Sequence, residues 1–131
     1  MGGGSVIGKI DRAVPAYEGA RGRDGTETMS IMKIAGEHSL TFFCGELPVD
    51  KEIVLAGHEP NGYFWDGVTT FLRPDLAERL ELDSEGGMFS ASGPRRDLVK
   101  LRKSLTPMLK DPASIRTLIK RAQEQGFEFE D

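Results

Sequence analysis

Few residue types in this chain are capable of covalent or metal chemistry. One cysteine, Cys44, and two histidines, His38 and His58, are the only candidates for a thiolate–imidazole nucleophile. Cys44 follows Phe42 and Phe43 in a short apolar stretch, with no neighbouring base to lower its pKa. A free cysteine in such a place behaves as a small core hydrophobe. His38 falls in a predicted hairpin turn and His58 in the loop after Gly57, so both are expected as exposed loop histidines. Only the fold can bring either of them to Cys44. A lone cysteine excludes an internal disulfide and a cysteine-built zinc site, and two isolated histidines are too few for a metal cluster. No catalytic, metal-ligating or cofactor-binding residue is assigned, and the expectation is a protein that is not an enzyme.

Carboxylates offer the other chemistry. Glu81, Asp83 and Glu85 recur at every second position, which places neighbours on one face of a strand. Such a cluster can hold a hard cation, yet Asp83-Ser84-Glu85-Gly86 is only a fragment of a calcium loop and lacks the distal glutamate. A solvated or partner-binding face is the expectation, with Glu59, Asp66, Glu81, Asp83 and Glu85 as candidate partner-binding residues. Gly3 to Lys9 fits GxxxxGK, but Ile10 stands where a phosphate loop needs a hydroxyl for magnesium. Met1-Gly2 suggests myristoylation, and Val6 occupies the place of the required Ser or Thr.

The elements that must position these groups follow from pattern. With 131 residues, 38% hydrophobic and 29% charged, the chain fits one globular domain. No apolar run approaches the roughly 18 residues needed to span a bilayer. Residues 1–28 hold seven of the sixteen glycines and no phenylalanine, and are expected as a flexible N-terminal extension. Val6 to Ile10 is far too short for a signal peptide, and Met29 is read as an alternative start. Residues 29–131 are expected as a single α+β domain, with antiparallel hairpins packed against several helices.

Within that domain, Ser30 to Ala35 and Ser39 to Cys44 read as a hairpin around Gly36-Glu37-His38. Val49 to Ala56 is open between a short helix and a strand, and Gly57 ends it. Asn61 is an expected N-cap for a helix whose Phe64, Trp65, Val68, Phe71 and Leu72 share one face. Pro74-Asp75 stops that helix and starts a short turn. Leu80 to Asp83 and Met88 to Ser92 pair across Ser84-Glu85-Gly86-Gly87. Gly93-Pro94 opens a second amphipathic helix, in which Pro107 is expected to bend or break the course. Asp111-Pro112 begins a third, closed by Gly126.

Charge is segregated along the chain. Residues 29–93 carry a net charge of −7 and residues 94–121 a net of +7, inside an overall −4. Arg95, Arg96, Lys100, Arg102 and Lys103 spread over the polar face of the second amphipathic helix. They make a nucleic-acid-binding or regulatory module using the basic helix 94–110 the alternative reading. The acidic remainder and the lack of aromatics among the bases count against nucleic acid.

The stretch from Gly57 to Val68, GHEPNGYFWDGV, holds the only tryptophan and three consecutive aromatics. With the downstream Ser84-Glu85-Gly86-Gly87-Met88-Phe89-Ser90-Ala91, it resembles the bacterial immunity protein 51 family, over roughly Ile31 to Leu105. The family-like residues are Gly57, Asn61, Gly62, Tyr63, Phe64, Trp65, Met88 and Phe89. The chain departs from that pattern at Pro60, where glycine or an acidic residue is more usual. The resemblance implies a cytoplasmic, non-catalytic immunity protein of a polymorphic toxin system that binds and neutralises a cognate toxin. It further implies no cofactor, no membrane partner, and a monomer or weak homo-oligomer.

Overall fold

The computed structural model describes residues 16–18 and 29–131. Of the expected N-terminal extension only Ala16–Glu18 is described, as a short edge strand; the rest of residues 1–28 lies outside the described residues. Ten elements follow in order: β1 (Ala16–Glu18), β2 (Ser30–Ile34), β3 (Glu37–Phe43), α1 (Asp50–Leu55), α2 (Gly62–Leu72), α3 (Pro74–Arg79), β4 (Glu81–Leu82), β5 (Met88–Gly93), α4 (Arg95–Lys110) and α5 (Pro112–Glu124). The strands form one antiparallel sheet in the order β1-β2-β3-β5-β4. The α+β expectation is thus met: an antiparallel sheet packed against several helices.

The hairpin of β2 and β3 turns on two residues. Ala35 and Gly36 both have positive φ, 53° and 83°, the handedness that matches strand twist in a two-residue hairpin. Glu37 and His38 therefore pair with Ile34 and Lys33 within the ladder. His38 lies in a strand, and its expected place in the turn is corrected: the shorter, left-handed turn takes fewer residues out of the sheet. The open choice at Val49 to Ala56 resolves as helix α1. Two turns of helix bury Ile53 alone, so the run reads as neither strand nor long amphipathic helix in sequence.

Alternation sets the core. Ile31, Leu40, Ala91 and Leu82 lie in one register across four strands, with Phe42 beside Phe89, and all but the half-buried Leu82 are buried. On this face α4 crosses β2, β3 and β5, while α2 lies against β5 and α5 covers α4 and α1. Leu98, Leu101, Leu105 and Leu109 of α4 and Ile115, Leu118, Ile119 and Ala122 of α5 fill the helix layer. Ser39, Thr41, Phe43, Ser90 and Ser92 point to the other face, where Phe43 is 76% exposed.

Pro107 does not break α4, which continues to Lys110. A proline deep in a helix costs about 3 kcal/mol. Here it sits exposed in the last turn, flanked by the buried anchors Leu105 and Leu109. Two polar ties fix the helix packing. Arg79 of α3 donates through Nε and Nη2 to the Asp97 carboxylate in the first turn of α4, at 3.3 and 3.2 Å. Arg73 forks to Asp75 and reaches Ser104 Oγ at 2.9 Å. Among the described residues no helix is long and apolar enough to cross a membrane.

Candidate functional site

Helix α2 begins where the sequence places its cap. Asn61 Oδ1 accepts the Phe64 N–H at 2.9 Å, satisfying one of the donors a helix start leaves free. The next residue, Gly62, is buried against the turn between β4 and β5. Its N–H donates to the Gly86 carbonyl at 3.2 Å. A Cβ at Gly62 would overlap the carbonyl oxygens of Glu85 and Met88 and sit 3.0 Å from the Met88 carbonyl carbon. Only glycine permits that approach. The two sequence patches that carry the family resemblance are therefore in main-chain contact.

With its start fixed, α2 divides its residues by period. Phe64, Trp65 and Val68 are fully buried, and Trp65 meets Phe42 and Phe64 edge-on at 5.5 Å. Phe89 stacks on Phe42 at 5.0 Å. Gly57, with φ +90°, follows α1 as expected of a left-handed terminator. Most of the family-like residues thus act through the fold. Tyr63 is the exception, 44% exposed on the outer side of α2 with Asp66, Gly67 and Thr70.

Asp66 is half-buried and tied to the same turn. Its Oδ1 accepts the Ser84 hydroxyl at 2.6 Å, and Ser84 Oγ in turn accepts the Ser90 N–H at 3.0 Å. Burial pushes the Asp66 carboxyl above the usual carboxylate range, the Ser84 hydrogen bond opposes this, and the charge of Asp83 adds to the rise. Glu85 stands exposed in the turn beside Gly62, and Asp83 is exposed after β4, its N–H on the Ser90 carbonyl. Glu81 lies opposite Ser92 on the sheet face away from the helices.

The far wall is the C-terminal tail beyond Gly126. Phe127-Glu128-Phe129-Glu130-Asp131 alternates inward and outward. Phe127 packs on Phe71 at 5.3 Å, and Phe129 stacks on Phe64 at 4.8 Å and meets His58 at 4.9 Å. Gly67 makes room for it, since a Cβ there would lie 2.6 Å from Phe129 Cδ1. Asp131 then closes the tail. Its carboxylate lies 3.2 Å from His58 Nδ1 and accepts the Glu59 N–H. His58 is consequently a packed, paired residue, with a side chain 19% exposed. The expectation of an exposed loop histidine is corrected, because the tail arrives from 73 residues away.

Glu128 and Glu130 are left facing outward across from Tyr63 and Asp66. Between them lies a groove of about 320 Å³ floored by Gly67, Thr70 and Phe127. Glu59, Asp83, Glu85, Glu128 and Glu130 have no ion pair with any described residue. The arrangement presents unpaired carboxylates around an exposed phenol on a backbone pinned at three points. Of the expected partner-binding residues Asp66 lines the groove, Asp83 acts on it by charge, Glu59 and Glu85 flank the start of α2 through Asp131 and Gly62, and Glu81 stands apart on the sheet.

Cys44 is set up for packing. Its thiol is pushed up to about 11 by burial, against a hydrogen bond from the Phe89 main chain, and the charges of Asp50 and Asp66 raise it further. No hydrogen bond joins it to either histidine among the described residues, and no group of three or more metal-ligating side chains occurs among them. No family model matches the chain, and no curated protein or solved structure matches it.

Proposed function

We propose that the chain is a cytoplasmic, non-catalytic immunity protein of a polymorphic toxin system, whose partner is a cognate toxin bound through the acidic surface around Tyr63. The observation that supports this most is the built rigidity of that surface. Asn61 caps α2, Gly62 and Ser84 fix it to the β4–β5 turn, and Asp131 ties the tail to His58 in the loop before α2. An inhibitor needs a complementary surface that is ordered before encounter, so that little entropy is lost on binding. Unpaired carboxylates around an aromatic side chain suit a basic partner, because opposite charge steers encounter and the ring supplies buried area. The reading requires no cofactor.

The test is co-purification with the toxin domain encoded by the neighbouring reading frame, together with survival of cells that express both. Complex formation and protection are expected, and both should fall when Tyr63→Ala is combined with Glu128→Lys and Glu130→Lys. A folded chain that neither binds nor protects against that domain overturns the proposal.

A further inference from the structure

Helix α4 exposes six residues: Arg95, Arg96, Lys100, Lys103, Pro107 and Lys110. Every one that is charged is a cation. At 100° per residue, Arg96, Lys100, Lys103 and Lys110 fall within about 80° of one another, a single stripe. None of these four has an ion pair or side-chain hydrogen bond with a described residue. The helix's one carboxylate, Asp97, is buried beneath them and engaged by Arg79. Solvated helix faces usually interleave both signs, and like charges three or four residues apart each cost a helix about 0.2–0.5 kcal/mol. Arg96 also sits at the helix end where the macrodipole disfavours a cation. Arg96 and Lys100 lie within charge reach of the buried Asp97, while every exposed charge on the face is positive.

We infer that this face of α4 is a docking surface for the phosphate backbone of a nucleic-acid duplex, independent of sequence. The chemistry on the face narrows the occupant. Leu98, Leu101, Leu105 and Leu109 are buried in the core and Val99 and Met108 pack against it, which leaves only Pro107 as an exposed apolar residue among the cations, too little to enter a membrane interface. No aromatic side chain lies among the cations to stack the bases of a single strand. Lysine without an apolar anchor is also poor material for the centre of a protein interface. The lack of aromatics thus counts against single strands alone, and what remains is recognition by charge, which a duplex backbone offers at regular spacing. From Arg96 to Lys110 the helix rises about 21 Å, a length along which one strand presents roughly six phosphates. The surface is separate from the groove at Tyr63, so this inference and the immunity reading fail independently.

The full chain is titrated onto a fluorescein-labelled 20-bp duplex by anisotropy between 50 and 200 mM salt. Four neutralised phosphates give a slope of log K against log [salt] of about −3.6, a loss of about 150-fold over that range. Lys100→Gln with Lys103→Gln removes two contacts, and the slope should drop to about −1.8 with an unchanged thermal midpoint. Three results overturn the inference: no saturable binding at 50 mM salt, a slope that the double variant leaves unaltered, or binding to phosphatidylserine vesicles in place of the duplex.

Discussion

Replacing Gly62 by alanine asks whether the start of α2 is joined to the β4–β5 turn as closely in solution as in the structure. The added methyl would overlap two main-chain oxygens, those of Glu85 and Met88, and neither can rotate away as a side-chain tip would. Restoring ordinary contact means moving a helix end or a turn by about 1 Å in a region packed to crystal-like density. Overpacking of this kind costs about 1–3 kcal/mol. Losing the Gly62 N–H bond to Gly86 costs a further 0.5–1.5 kcal/mol or so. Alanine recovers about 0.4–1 kcal/mol by restricting the unfolded chain. The balance is a destabilisation near about 2 kcal/mol, which lowers the thermal midpoint of a domain this size by about 6–10 °C. Gly86→Ala is the internal control. It lies in the same turn, and a Cβ there meets nothing within 4 Å, so its midpoint should match the wild type. Differential scanning calorimetry of the two variants decides the matter. A Gly62→Ala protein that melts with the wild type refutes the close approach and, with it, the geometry assigned to Asp66 and Ser84.

Further expectations can be checked by simple means. Trp65→Ala removes a fully buried ring between Phe42 and Phe64 and should cost about 3–5 kcal/mol by chemical denaturation. Asp66→Asn should raise stability at neutral pH, because burial disfavours the charge there, while weakening partner binding; a stability loss counts against the assigned desolvation. The Arg79 hydrogen bonds hold the Asp97 carboxyl below the ordinary 3.8. The stability they lend is therefore complete above about pH 4 and lost as pH falls through the lower folded value, and Asp97→Asn should flatten the acid limb of a pH–denaturation series. Cys44, with its thiol raised from 9.0 to about 11, should alkylate with iodoacetamide about 100-fold more slowly at pH 7.5 than an unperturbed thiol.

What the sequence made legible was local. The Asn61 cap, the buried face of α2 and the pairing of Met88 to Ser92 rest on contacts within a few residues, or on a period that repeats. Gly62 was visible as one of the family-like residues, though its neighbour in the turn at Gly86 was not. The tail escaped because its partners, His58, Phe64 and Gly67, lie some 60 to 70 residues earlier. The alternation of Phe127, Phe129 and two glutamates was present to be read, but five residues after a helix-closing Gly126 carry too short a period to distinguish a packed strap from a charged end. Pro107 misled for a related reason: its cost depends on its position relative to a helix end fixed by Leu109, a tertiary contact. His38 was placed in a turn because Ala35 gave no sign of taking positive φ.

The strap formed by Phe127 to Asp131 has a bearing on when the groove beside Tyr63 is complete. These residues follow α5 and are the last of this stretch to be synthesised, at about 5–20 residues per second. Until they are laid across Gly67, Phe64 is uncovered, His58 lacks its carboxylate, and the groove has one wall. A chain cut short by even five residues would keep the sheet and all five helices while presenting a different surface. Proteolytic loss of the strap would leave the groove with a single wall and open the Phe64 ring that Phe129 covers.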